Sequence, residues 1–335
     1  MPLTLHVDAE RWRRHLRTYV GEHTGIVPVT KGNGYGFGND VLAAEAADLG
    51  VPALAVGTYD ELSTIQFPRD VLVLSPWRPG ADAPPEVIHT VSRIADLKDL
   101  AARGDRPNVV IEVITSMRRH GIGTDELAAA ADLLADVTFR GWALHLPLAG
   151  DRMPEARRLA PALTATATGP LWVSHLDPSD VSVLAAETGA EVRLRVGTAL
   201  WLGARSALQA RATVLDVHEL GRGDTYGYRQ RRARRSGHLL VVAGGTAHGV
   251  ALEAPVPATS LRQRAVSVAK GGLEATGRAL SPFYVAGKQR WFAEPPHMQC
   301  SLIWLPADVT PPAVGDELDV DVRFTTTTFD QIRWQ

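Results

Sequence analysis

The sequence is poor in cysteine, in net charge and in long apolar runs, and each shortage closes off a class of protein. Its only cysteine is Cys300, so no intrachain disulfide can form and a cysteine-rich zinc site is excluded. No run of about 18 apolar residues is present to span a membrane. The opening MPLTLHVDAERW lacks a charged region followed by an apolar core, so no signal peptide is expected. The formal net charge is only -2, which leaves no global basic field to hold nucleic acid. Aromatics are scarce at 6%, although 8 of them are Trp. These absences lead to the expectation of a soluble cytoplasmic protein.

What is present is an ordinary globular composition, 45% hydrophobic and 21% charged over 335 residues. That length suggests two domains, or one large barrel with an appendage. The first part alternates strands and helices. LTLHV reads as a strand. DAERWRRHLRTYV follows as a helix with Asp8 at its N-cap and Trp12, Leu16 and Val20 at helical spacing. GIVPVTKG, PALAVGT, DVLVLSP, HTVSRI, NVVIEVIT, FRGWALHLP, PLWVSHL and EVRLRVGTALWLG read as strands. DVLAAEAADLG, DELSTIQ, DLKDLAARG, TDELAAAADLLADV, a weaker EARRLAPALTA and SDVSVLAAETG read as the intervening helices. Such repeated βα units imply a parallel sheet covered on both faces. Their number favours an α/β fold of the (β/α)8 TIM-barrel type, with chemistry at the C-terminal strand ends. An open doubly wound sheet is the alternative.

The last third changes to strands and turns, including LQARATVLDVHELGRGDTYGY, HLLVVAGG, VALEAP, FYVAGKQRWF, CSLIWLP and ELDVDVRFTTTTF. The expected division is a barrel over residues 8–206 and a mainly β domain over 207–335, with residues 1–7 a candidate addition to the latter. The basic run RQRRARRSG in that domain reads as a solvated hairpin loop, with a phosphate or nucleic-acid contact as the competing reading.

The segment most informative about chemistry is IVPVTKGNGYGFGND, residues 26–40. An apolar strand delivers Lys31 at its C-terminal end. Gly32, Gly34, Gly36 and Gly38 then let the backbone turn tightly and approach a ligand. A lysine desolvated there is a nucleophilic amine able to form a Schiff base. The glycine spacing is neither GxGxxG nor a GxxxxGK phosphate loop. On the residues alone, a surface lysine in a glycine loop is an equal reading.

The segment closely resembles the K-A-N-A-Y-G-H-G signature of the alanine racemases, in which the lysine holds pyridoxal phosphate. VGTYDEL, EVITSMRRHGI, GWALHLPLAGD, RLRVGTALWLG and VAGKQRWFAEPPHMQCSLIWL resemble later segments of the same family, in the same order. The resemblance implies a homodimer whose active site is shared between the barrel of one subunit and the β domain of the other. It implies pyridoxal 5'-phosphate as cofactor and a small amino acid, alanine foremost, as substrate. By position Lys31 would be the cofactor lysine and one of two acid/base groups. Tyr35 would line the cofactor site, Arg195 would face the pyridine nitrogen, and His145 would hold Arg195. Arg193 shares the strand parity of Arg195, which is preferred for the Gly197 that follows. Ser179 and the backbone at Gly197 and Thr198 would lie near the phosphate. Arg119, in competition with Arg118, and Met298 would meet the substrate.

The resemblance also has gaps. The family's second acid/base is a tyrosine in a G-Y-A-D-G motif, and the matching residues here are Gly245, Thr246, Ala247, His248 and Gly249. Thr246 stands in the tyrosine's place, and a threonine hydroxyl is a poor general base. His248 is the candidate replacement, with Tyr226 and Tyr228 behind it; the bland reading of His248 is a surface turn histidine. Phe329 takes the place of a phosphate-contacting tyrosine. Glu112 replaces a lysine that the family often carbamylates, and a carboxylate there is expected to pair with Arg118 or Arg119. The leading function is therefore a racemase or epimerase of a small amino acid. The alternatives are another pyridoxal-phosphate reaction on the same scaffold (lyase, aldolase or decarboxylase) and a non-catalytic homologue that binds cofactor or partner.

Overall fold

The computed structural model describes residues 2–81, 84–150, 152–252 and 279–335. Asp151, the end of GWALHLPLAGD, and residues 253–255, the second half of VALEAP, lie outside them. The chain forms two compact units, Arg13–Gly203 and a second made of Met1–Trp12 with Ala204–Gln335. The first strand, β1 (Leu3–Val7), and the first turn of α1 (Ala9–Glu22) begin the second unit.

The first unit runs through β2 (Ile26–Thr30), α2 (Asn39–Asp48), β3 (Ala53–Val56), β4 (Asp70–Val73), β5 (Ile88–Val91), α3 (Ile94–Ala101) and β6 (Asn108–Val113). It continues with α4 (Leu127–Ala131), β7 (Thr138–His145), α5 (Arg152–Thr166), β8 (Leu171–Ser174), α6 (Pro178–Thr188), β9 (Val192–Val196) and α7 (Thr198–Trp201). Strands β2 to β9 close into a parallel barrel in chain order. The expected barrel is thus the observed one.

Its interior is filled from alternate positions along the strands. Val27, Val29, Ala53, Ala55, Leu72, Ile88, Val110, Ala143 and Trp172 form one buried cluster. Small Ala53, Ala55 and Ala143 leave the room that the Trp172 indole occupies, and its Nε1 donates to the Arg140 carbonyl at 2.8 Å. Residues of the opposite parity meet the outer helices and turns, as Val56, Val71 and Val73 do with Tyr59, Leu62 and Phe67.

The helical readings need two corrections. TDELAAAADLLADV is not one helix. A 3-10 turn at Thr124–Glu126, the short α4 and a second 3-10 turn at Leu134–Asp136 replace it. Asp132 and Asp136, whose carboxylates compete for backbone donors, sit where the helix fails. DELSTIQ is likewise a 3-10 turn, Asp60–Thr64. In contrast, the weak EARRLAPALTA pattern lies within a full helix, α5, which contains Pro161.

The second unit adds β10 (Leu208–Leu220), β11 (Thr225–Tyr226), β12 (Arg231–Arg232), β13 (Gly237–Ala243), β14 (Leu280–Val285), β15 (Lys288–Phe292), β16 (Cys300–Pro306), β17 (Glu317–Asp319) and β18 (Gln331–Trp334). The main sheet runs β14-β15-β16-β13-β10-β1-β18, with β17 beside β10. Strand β1 pairs antiparallel with β10 (Leu5 opposite Ala210) and parallel with β18 (Leu5 opposite Ile332). Period-two alternation gives the sheet two apolar faces. Leu240, Val242, Ile303 and Leu305 join Leu3 and Phe283 on one face, while Leu239 and Leu302 join Leu220, Ala233 and Ala293 on the other. The basic run forms the β11–β12 hairpin, with Arg231 and Arg232 in its second strand.

One buried group ties the barrel's stability to pH. His89 is fully buried on β5, its Nδ1 receives the Tyr59 hydroxyl at 2.9 Å, and its Nε2 has no partner. Burial, with a smaller push from Arg103, lowers its pKa from 6.5 to about 4. The folded form therefore refuses a proton that the unfolded chain accepts. Stability should be unaffected by this group above about pH 6.5 and fall as pH drops from there toward about 4. Urea denaturation across that interval should show a flatter acid limb for His89→Leu than for the wild type.

Candidate functional site

Lys31 leaves β2 at the C-terminal mouth of the barrel. The turn after it is held from inside. The Thr30 hydroxyl donates to Asn39 Oδ1 at 2.6 Å, and Asn39 Nδ2 donates to the Gly32 carbonyl at 3.2 Å. Gly34 has φ 58, and a side chain on it would strike the Asn39 backbone nitrogen at 2.6 Å. Tyr35 follows in the left-handed region at φ 54, an uncommon conformation for a bulky residue, and its ring is buried. The tyrosine lies where only a side-chain-free neighbour fits: a Cβ on Gly197 would overlap the Tyr35 hydroxyl. Burial raises the Tyr35 phenol to about 12, so it stays a neutral donor.

Glu61 fastens Lys31's strand to the next one. Its carboxylate accepts the Gly32 N–H at 2.7 Å and the Gly57 N–H at 2.7 Å. Sequence reasoning missed this residue. Its signal was available only as an acidic group in the turn after β3.

Arg195 comes from β9 and is buried. The register places His145 of β7 opposite Ser174 of β8, and Ser174 opposite Arg195, so the three share one level of the barrel. His145 Nδ1 and the Ser174 hydroxyl are hydrogen-bonded at 3.1 Å. The expectation that His145 holds Arg195 needs correction: the guanidinium donates from Nη2 to the Leu144 carbonyl at 3.2 Å, while Nε has no partner. Arg193, the competitor, forks onto Glu191 and lies 4.7 Å over the Trp172 ring, one level lower.

Glu112 of β6 is buried and lies 3.9 Å from Arg119. The expected pairing of Glu112 with Arg119 is therefore present, as a long contact, and Glu112 Oε2 is left without a partner. Arg119 is half exposed, and Arg118 is exposed with its backbone in the left-handed region at φ 50.

These charges act on one another. Burial lowers the Lys31 ammonium, and Arg119 and Arg195 push it in the same direction, against Glu61. Lys31 keeps substantial exposure at the mouth. Burial takes Arg195 down to about 10, with Glu112 opposing and Arg119 assisting. His145 falls to about 3, through burial first and then Arg195, Arg119, His175 and Lys31. Its neighbour His175 stacks edge-on at 5.0 Å and donates from Nδ1 to the Leu146 carbonyl at 2.6 Å. The result is a cationic barrel mouth with a lysine that loses its proton more readily than usual, beside neutral imidazoles.

Ser179 is not in this group. It lies exposed in the first turn of α6, whereas the serine at the level of Arg195 is Ser174, five residues earlier. Gly197 precedes α7 and Thr198 begins it, and Trp201 of that turn donates to the Val29 carbonyl at 2.8 Å.

The remaining candidates belong to the β unit. Thr246–His248 form a 3-10 turn after β13. The Thr246 N–H donates to the His297 carbonyl at 2.8 Å, and the Ala247 N–H to the Met298 carbonyl at 3.0 Å. His248 is 6% exposed, not on the surface. Its Nδ1 accepts the Gly245 N–H at 3.2 Å, and its Nε2 meets Asp330 Oδ1 at 3.0 Å. Both nitrogens hold the turn, so the proposed replacement acid/base has none free. Met298 is exposed at 69%. Tyr226 packs beside Trp304, and Tyr228 is largely exposed.

Comparison with known proteins bears on this arrangement. The family model described as alanine racemase, N-terminal domain, matches residues 7–204. An alanine racemase of Mycolicibacterium vanbaalenii is 28% identical over 268 residues, covering 68% of each chain. One from Campylobacter jejuni is 29% identical over 141 residues, 41% of this chain and 42% of that protein. The match thus spans less than half the length of the Campylobacter relatives. Among solved structures, alanine racemase from Bartonella henselae with covalently bound pyridoxal phosphate has a TM-score of 0.70 at 16% identity, covering 96% of this chain and 91% of that one. Alanine racemase from E. faecalis has a TM-score of 0.69 at 17% identity, covering 100% and 98%. At these identities the structural likeness speaks for the fold.

The close fit of Gly197 against Tyr35 can be checked directly. Gly197→Ala should destabilise the protein by about 1–3 kcal/mol, the usual cost of overpacking. Adding Tyr35→Phe, which removes the overlapping oxygen, should recover part of that loss in urea denaturation.

Proposed function

This chain belongs to the alanine racemase family, and on that footing we propose that it is a pyridoxal-phosphate enzyme acting at Cα of a small amino acid, as a racemase or epimerase. The observation that carries the reading is the lysine at the end of β2 with its ammonium destabilised beside two guanidiniums. The surroundings fit an anionic cofactor. Arg195 is buried with its Nε unpartnered, a polar hydrogen awaiting an acceptor. At the mouth Arg119 and Arg195 both lower the Lys31 ammonium, and Arg119 also lowers Arg195.

Pyridoxal phosphate, when bound, supplies an aldehyde that condenses with amines and a conjugated ring that delocalises the electron pair left when a proton leaves Cα. The residues proposed to hold it are Lys31, Tyr35, His145, Arg195 and the backbone at Gly197 and Thr198, with Ser174 in place of Ser179. Lys31 Nζ would take or return the Cα proton, a role that the lowering of its pKa favours. Arg195 would orient and donate hydrogen bonds without giving up its proton, since even at about 10 it stays charged near neutrality. Neutral His145 would keep a third positive charge away from the ring-facing arginine. Arg119, balanced by Glu112, would receive the substrate carboxylate, and Met298 would belong to the substrate side. A homodimer and a cytoplasmic setting form part of the same proposal. Among the described residues no helix is long and apolar enough to cross a membrane.

A second reading is favoured by a specific observation. With Thr246 where the family has tyrosine, and His248 tied to Gly245 and Asp330, neither is free for proton transfer on the opposite face. An enzyme relying on Lys31 alone would suit a lyase, aldolase or decarboxylase reaction on the same scaffold.

The test is incubation of the purified protein with pyridoxal phosphate and L-alanine, then L-serine and a wider panel, in heavy water, with enantiomers resolved and Cα deuterium followed. The proposal expects deuterated D-isomer from at least one substrate. It also expects Lys31→Ala to lower both exchange and inversion by about 10²–10⁴-fold or more. Exchange with complete retention would support the second reading instead. No exchange with any amino acid of the panel would contradict both.

A further inference from the structure

The β unit holds a cluster of chemistry-bearing side chains that the pyridoxal reading does not use. In the segment Ala293–Cys300, the His297 N–H donates to the Cys300 carbonyl at 2.9 Å, closing a turn that brings both side chains to one side. Cys300 Sγ lies 3.9 Å from His297 Nδ1. The other imidazole nitrogen, Nε2, meets Glu294 Oε1 at 2.6 Å.

This is the order nucleophile, base, orienting carboxylate, the arrangement that activates a side-chain nucleophile in many unrelated proteins. The carboxylate is built in, not incidental. The Glu294 side chain is 2% exposed, and the Tyr228 N–H also donates to its Oε1 at 3.2 Å. A side chain on Gly227 would overlap that carboxylate. A buried carboxylate needs partners of this kind to be tolerated. The imidazole is fixed in turn by the Tyr228 ring, whose centroid is 4.3 Å away. Arg231 on β12 donates to the Ala293 carbonyl at 3.0 Å, next to Glu294 in the chain.

We propose that Cys300, His297 and Glu294 form a nucleophilic thiol site that exchanges with small disulfides, making Cys300 a point of reversible mixed-disulfide modification. In the step, the S–H proton moves to His297 Nδ1 as Sγ attacks one sulfur of the disulfide. A new S–S bond forms, the old one breaks, and its electron pair leaves on the departing thiolate, which can recover the proton from the imidazolium. Cys300 is oxidised and half of the disulfide is reduced. Glu294 stabilises the imidazolium through its Nε2–H. The base is needed because burial alone raises the Cys300 thiol above its ordinary value. Cys300 is partly accessible, and the exposed Tyr228 ring lying against His297 offers apolar surface for the organic part of a ligand. With no second cysteine in the chain, nothing inside the protein can resolve the mixed disulfide, so it persists until an external thiol removes it.

The single cysteine makes the test unambiguous. The full-length protein is mixed with excess dithiodipyridine near neutral pH, and the rate of thiopyridone release is compared for native and urea-unfolded protein. A partly buried thiol without help reacts more slowly in the native state than in the unfolded chain. The proposal expects the native rate to equal or exceed the unfolded rate. It expects His297→Gln to reduce only the native rate, on the order of a hundredfold. A wild-type native rate well below the unfolded one overturns the proposal whether or not the variant folds, as does a folded variant with the wild-type native rate.

Discussion

Lys31, Arg119 and Arg195 repel one another at the C-terminal mouth of the barrel, and their surroundings are arranged to tolerate that repulsion. Glu112 stands buried beside Arg119, and Glu61 accepts the N–H of Gly32, just after Lys31, and that of Gly57 after β3. His145 and His175 both have lowered pKa values, so they add no further positive charge near neutrality. The balance is incomplete, since the Arg195 Nε and Glu112 Oε2 remain without partners. A site with surplus positive charge and an unpaired buried donor is suited to an anion, and a lysine in that field gives up its proton more readily than an isolated one.

The barrel makes this crowding possible. Parallel strands deliver their C-terminal ends to one mouth, and the register lines up His145, Ser174 and Arg195 on three successive strands. The interior beneath is apolar and filled by Trp172 against alanines, so the charges have no path inward. The turn after β2 then determines where Lys31 can reach. Tyr35 in a left-handed conformation against Gly197 joins that turn to the start of α7, so the glycines on both sides serve one contact.

Much of this was legible in the residues, for physical reasons that also explain what was not. Short apolar runs buried on both faces, alternating with helical spacing, favour a parallel barrel over an open sheet, and a lysine after such a run falls at the strand end. The pairing of Glu112 with Arg118 or Arg119 was expected from the family resemblance, and the carboxylate meets Arg119. Long-range pairing was harder. Strand β1 joins a sheet built from residues beyond 207, and the Leu3 N–H donates to Asp330 across 327 residues of sequence. A strand pattern names no partner. Side-chain bonds were least legible, because several acceptors compete at similar distances. Arg195 chose the Leu144 carbonyl over His145, Ser174 took the level expected for Ser179, and His248 found Asp330 from a distant segment. The Glu61 staple was hidden in a turn that reads as a short helix.

The account rests on Lys31 being the amine that receives the cofactor. Lys98, Lys270 and Lys288 are the other lysines of the chain, so the assignment can be read directly. The full-length protein would be incubated with pyridoxal phosphate, reduced with borohydride, digested and mapped by mass spectrometry. The prediction is a stoichiometric pyridoxyl label on Lys31, displaced by neither Lys98 nor Lys288, both of which are exposed. Labelling spread evenly over the lysines, or none at Lys31, would contradict it.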